Sequence, residues 1–270
     1  MAYNHQYVKS FLVGLLFGKN VHPDDTDLLL LSVVNEGDVL LAVKKAYIDM
    51  SPRTFTKSEE ENKFDEKLKN NLLYSLACDI RDYMENGTGG QSFDDWHHDV
   101  CTKFLSGNDL ADGNSSCDYR GLAGLLSNAG RDPDEATYGK AQKIVNMTFK
   151  YLYCYPDAPK YYERFKPCHM PLDSYILDWF FEVYEETWNN EQKPAESKRK
   201  LSKSGKYHLP KWSNLKYESP EAISDGGIPQ YKEIQDAIKE IIARHPSGVT
   251  RLEAEFVIWY EAKTDLPFTY

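Results

Sequence analysis

Lys140, Lys143, Met147 and Lys150 recur at helical spacing within Tyr138 to Leu152. At about 100° per residue they share one face of a helix, and Ile144, Val145, Thr148, Phe149, Leu152 and Tyr155 fall on the other. Downstream, Pro171 steers Met170 away from helical geometry. Asp173 is then placed to accept backbone N–H bonds at the start of a helix carrying Ile176, Leu177, Trp179 and Phe180. Together these residues could supply an amine and a fixed carboxylate. An amine relieved of its proton by burial attacks an electron-poor carbon such as C1′ of a sugar, and a carboxylate held by backbone donors stabilises the cation that develops there. Taken singly, the same residues read as a solvated lysine face and a helix cap.

On these residues the sequence resembles the helix-hairpin-helix DNA glycosylase superfamily, most closely its archaeal 8-oxoguanine branch. The shared features are Gln142-Lys143, Met147 and Lys150, followed by the apolar-Pro-apolar-Asp step that ends at Asp173. Near the C-terminus, Glu255-Phe-Val-Ile-Trp259 is similar to that branch's acidic-x-x-x-Trp helix. The resemblance implies an all-α, two-lobed architecture with a cleft between the lobes. It makes Lys143 a Schiff-base nucleophile, Asp173 the essential carboxylate, and Met147, Lys150, Glu255 and Trp259 residues of a base pocket.

The departures from the family are specific. Its Leu-Pro-Gly-x-Gly hairpin is absent, and the stretch Asn128-Ala-Gly-Arg-Asp-Pro-Asp-Glu-Ala-Thr137 stands before the lysine helix instead. Glu255 replaces an aspartate and Met147 an aromatic residue. These changes point away from 8-oxoguanine as the substrate. An acidic protein with a distinctive basic insertion could instead serve a narrower purpose, such as removing a modified base from invading phage DNA. The expected partner is double-stranded DNA with one base rotated out, bound by a monomer without a cofactor or a metal ion.

The elements that must position this chemistry read as helices throughout. Val39 to Tyr47, Phe64 to Met84, Phe93 to Leu105, Arg120 to Ser127, Gln230 to Arg244 and Arg251 to Ala262 all carry apolar residues at helical spacing. Thr250 and Glu253 have the spacing of a capping box. The expected organisation is an N-terminal helical region over 1–127, then a hairpin-like turn with the lysine and aspartate helices over 128–190. A basic insertion or linker over 191–228 follows, and C-terminal helices over 229–270 complete the pocket.

A net charge of -10 argues against bulk attraction to nucleic acid, so DNA contacts must come from a local basic surface. Lys193 to Lys216 is the candidate: Lys198, Arg199, Lys200, Lys203 and Lys206 lie in a run opposed only by Glu196, with Tyr207 and Trp212 among them. Such a run tracks a phosphate backbone or forms a solvated linker. Lys140 and Arg131 are further candidate DNA contacts, and the turn at Gly130 to Pro133 could offer backbone N–H groups to a phosphate.

The five cysteines are odd in number and irregularly spaced, which suits reduced thiols in a cytoplasm. Phe11 to Phe17 is too short to span a bilayer. A second reading keeps helices and DNA but no chemistry: a DNA-binding or adaptor protein that uses the 193–216 segment. A third is a helical interaction protein whose acidic surface meets a basic partner.

Overall fold

The structure, a computed structural model, describes residues 30–54, 65–107, 121–191, 211–218, 229–246 and 248–263. The expected basic contacts Lys198, Arg199, Lys200, Lys203 and Lys206 lie outside those residues. So do the N-terminal apolar segment and Cys117.

The described residues contain nine α-helices and no strand. They are α1 (Glu36–Thr54), α2 (Glu66–Asn86), α3 (Phe93–Ser106), α4 (Gly121–Asn128), α5 (Tyr138–Leu152), α6 (Tyr162–Phe165), α7 (Ser174–Glu191), α8 (Tyr231–Arg244) and α9 (Arg251–Lys263). None is long and apolar enough to cross a membrane. The all-α expectation therefore holds for the described residues.

Local sequence explains several helix ends. Asp65 accepts the N–H groups of Lys67 and Leu68 ahead of α2, and Ser92 accepts that of Asp95 ahead of α3. Thr250 and Glu253 form the expected reciprocal box at α9: Thr250 N–H reaches Glu253 at 2.8 Å, and Glu253 N–H reaches the Thr250 hydroxyl at 3.2 Å.

The chain forms two compact units. One comprises residues 1–136 and 140–167, the other residues 137–139 and 168–270. The 128–190 stretch is thus shared: most of α5 belongs to the first unit, and Asp173 with α7 to the second. The core of the first unit gathers aromatic rings around α5. Phe149 lies 5.6 Å from Tyr83 and 5.9 Å from both Phe93 and Trp96, ring centre to ring centre. Farther along, the Tyr83 hydroxyl donates to the Arg164 carbonyl at 2.6 Å and that of Tyr155 to the Asp38 carbonyl at 2.8 Å.

The second unit packs α7, α8 and α9 around the extended segment Cys168 to Asp173, every residue of which is buried. It also includes Lys211 to Glu218, part of the expected basic insertion. Leu215 is buried there. The carbonyls of Leu215, Lys216 and Tyr217 accept the N–H groups of Gly139, Tyr231 and Lys232. Three donors in the first turns of α5 and α8, which have no partner within their own helices, are satisfied in this way. The approach is close enough that a Cβ at Gly139 would lie 1.9 Å from the Trp212 carbonyl oxygen.

Candidate functional site

The residues implied by the resemblance fall into two sets. Lys143, Met147 and Lys150 stand on α5 in the first unit; Asp173, Glu255 and Trp259 belong to the second.

Helix α5 has the predicted lysine face, but that face is not solvated. Lys140, Lys143 and Lys150 are 5%, 7% and 4% exposed, and Met147 is the one half-exposed residue between Tyr138 and Leu152. Enclosing three ammonium stems is costly unless their heads find polar partners. The Lys140 amine donates to the Glu135 carbonyl. Burial lowers its pKa below the usual lysine value; Glu135 opposes this and Arg131 adds to it. Lys140 is therefore an enclosed amine, unlike the exposed cation that a phosphate contact calls for.

Arg131 is half-buried and paired with Glu135. The turn that contains it is closed on itself. Gly130, at φ 70°, ends α4 in a Schellman motif: Arg131 N–H bonds to Leu126 O and Gly130 N–H to Ser127 O, each at 3.0 Å. Asp132 then accepts the Asp134 N–H at 2.9 Å and opens a 3₁₀ turn over Pro133–Glu135. The N–H groups of Ala129, Gly130, Arg131, Asp134, Glu135 and Ala136 are all used internally. They are not held out toward a phosphate, because a closed turn satisfies its own donors.

Beside the lysine face of α5 lies a polar chain that helical spacing does not disclose. His97 Nε2 meets Asn146 Oδ1 at 2.8 Å, and Asn146 Nδ2 donates to Gln142 Oε1 at 2.9 Å. All three residues are fully buried. With the Asn146 oxygen facing it, a neutral His97 carries its proton on Nε2. The Cys101 sulfur lies beside the ring, 3.7 Å from Nδ1 and 3.8 Å from Nε2. His97 and Cys101 thus lie within a hydrogen-bonded core. No group of three metal-binding side chains occurs among the described residues.

In the second unit Asp173 is 6% exposed and caps α7 as predicted. One carboxylate oxygen accepts the N–H of Tyr175 at 3.0 Å and of Ile176 at 3.1 Å. The segment leading to it is gripped from α8. The Gln235 side chain accepts Met170 N–H at 3.2 Å and donates to Met170 O at 2.6 Å, while His169 Nδ1 meets the Tyr231 hydroxyl at 2.7 Å. Burial pushes the Cys168 thiol well above its usual pKa, with the Arg251 charge opposing. That leaves a packed thiol rather than a nucleophile.

Helix α9 contributes Glu255, 1% exposed, and one turn later the half-buried Trp259. The Trp259 ring stands edge-on to Tyr175, centroids 6.4 Å apart at 77°. The unit therefore brings together the helix start that holds the carboxylate and the C-terminal aromatic residue. Tyr175, which sequence reasoning passed over, links them, and its place two residues after the cap was the available signal. Comparison of the chain with family models, curated proteins and solved structures returns no match.

Proposed function

We propose that this protein is a DNA N-glycosylase with associated lyase chemistry, acting on a damaged or modified base rotated out of the duplex. The observation that carries the reading is the burial of Lys143 on α5, a residue only 7% exposed. A lysine held out of bulk water on a packed helix can be presented to C1′ in a fixed geometry as a nucleophile. Asp173 adds a buried carboxylate whose orientation is fixed by two backbone donors.

In this reading the architecture is two-lobed and glycosylase-like, and a cleft receives the base. Lys143 Nζ bonds to C1′ as the glycosidic bond breaks; its electron pair leaves on the base, which takes up a proton. Asp173 stabilises the positive charge on the sugar during this step. Loss of the amine proton and opening of the C1′–O4′ bond give an imine, from which removal of a C2′ proton expels the 3′ phosphate. Met147, Lys150, Glu255 and Trp259 contact the base, and Lys198, Arg199, Lys200, Lys203 and Lys206 meet the phosphates. A role against modified phage DNA fits an acidic protein that carries a distinctive basic segment over 193–216.

The test is base release from duplexes that carry 8-oxoguanine or modified cytosines, with borohydride trapping of the imine. A covalent adduct that disappears in Lys143→Ala is expected. Base release without an adduct would leave Asp173 and a water as the machinery. Salt-sensitive DNA binding with no base released from any duplex would favour the adaptor reading.

A further inference from the structure

We propose that the buried chain His97, Asn146 and Gln142 sets the rotation of α5 about its axis, and so positions the Lys143 amine. The inference rests on the glycosylase reading for its purpose but on geometry for its content. Apolar packing is non-directional. The rings around Phe149 could slide somewhat while burying nearly the same area, so the rotation of α5 falls to its directional bonds. Lys140 to the Glu135 carbonyl and Tyr151 to Asp49 act near its two ends, and Asn146 with Gln142 acts between them, next to Lys143. Hydrogen bonds between enclosed amides are directional, and breaking one leaves a buried group unsatisfied.

Asn146 bonds across to α3 at 2.8 Å and back along α5 to Gln142 at 2.9 Å. The two amides are one turn apart, so together they fix a line on the helix surface. His97 is itself held against Cys101 one turn further along α3. Gln142 is the residue before Lys143, so fixing its direction fixes that of Lys143 about 100° around the axis. The leverage is large. A lysine amine sits roughly 8 Å from the helix axis, so a turn of about 20° sweeps it through about 3 Å, when about 1 Å of misplacement is enough to cost a reaction about 100-fold.

Residue-resolved acetylation of the full-length protein, read by mass spectrometry, reports the surroundings of each lysine amine without any catalysis. Asn146→Leu and His97→Leu are expected to change the Lys143 labelling rate at least threefold, with Lys45, Lys69 and Lys103 unchanged. His97→Gln, which keeps a donor where Nε2 stands, is expected to stay close to wild type. In parallel, borohydride trapping on abasic duplex should fall at least tenfold in the two leucine variants.

An unchanged Lys143 rate in Asn146→Leu would overturn the proposal. So would a parallel change at all lysines, which marks a network that merely stabilises the unit. If Asn146→Leu does not fold, Gln142→Leu, which removes the acceptor of the Asn146 amide, gives the same comparison. Should wild type trap no abasic DNA, the lyase reading fails while the labelling still decides the positioning role. Trapping by wild type with labelling indifferent to the chain would spare that reading and sink this one.

Discussion

In the unit that carries Lys143, the amides that hold the candidate site belong to the functional helix and reach out to a neighbour, Asn146 to His97 on α3. In the unit that carries Asp173, the amide comes from the neighbour and reaches in: Gln235 of α8 closes on both polar groups of the Met170 backbone. The difference follows from the side chains being held. A lysine amine stands far from its backbone, so the helix beneath it must be fixed in rotation. An aspartate carboxylate stands close to its own backbone, so fixing the extended segment before it, and letting it cap α7, fixes the oxygens.

The comparison breaks most visibly in activity. Lys143→Ala should abolish the borohydride adduct, and Asp173→Asn should lower base release by roughly 100- to 1000-fold, the scale of losing one preorganised electrostatic partner. Asp173→Asn keeps an oxygen for the Tyr175 and Ile176 donors, so its melting should stay near that of wild type. An Asp173→Asn protein that folds and releases base at the wild-type rate would reduce Asp173 to a helix cap.

Next in size is Gln235→Leu, which leaves the Met170 N–H and carbonyl, both in a buried segment, without their partner. Two unsatisfied groups at about 1–3 kcal/mol each predict a loss of about 2–6 kcal/mol. Urea unfolding measures it. Hydrogen exchange should show the loss first in the second unit, and protection lost equally in both units would contradict the separate support described for them.

The two units also differ in how far they could be read from sequence. Much of the second is local. Asp173 after Pro171, and Thr250 with Glu253, announce helix starts through neighbours a few residues away, and both form as expected. The helices of the first unit were equally legible, but its polar core was not. His97 and Asn146 meet across two helices, and spacing along one chain reports which face a residue occupies, not what covers that face. The same limit applies to Lys140, Lys143 and Lys150, where a lysine stripe looks wet until its surroundings are known. Leu215 to Tyr217 was hidden differently: its work is done by carbonyls, which every residue has, so a basic composition said nothing of its role as a cap for α5 and α8.

A smaller effect tests the local, legible kind of support. Thr250→Ala removes one side of the α9 capping box and should cost about 1 kcal/mol, read as a modest fall in melting temperature. A much larger loss would mean that the start of α9 is held through its cap rather than through the packing of Arg251 and Leu252.

The smallest expected effect separates enclosure from mere crowding on the lysine face. Burial depresses the Lys140 pKa in the folded protein, while the unfolded chain keeps the ordinary value near 10.5. Between the depressed value and 10.5 the unfolded chain holds a proton that the folded chain has lost, so stability from this group rises with pH across that window. Below the window both states are charged, and the folded state carries the full cost of enclosing the ammonium. Lys140→Met removes the titration and, at every pH, the bond to the Glu135 carbonyl. Wild type should therefore gain on Lys140→Met between pH 7 and pH 10, by urea unfolding at each. A difference that stays constant over that range would mean that water reaches the amine, and the Lys140 side chain would then be crowded by its neighbours without being enclosed.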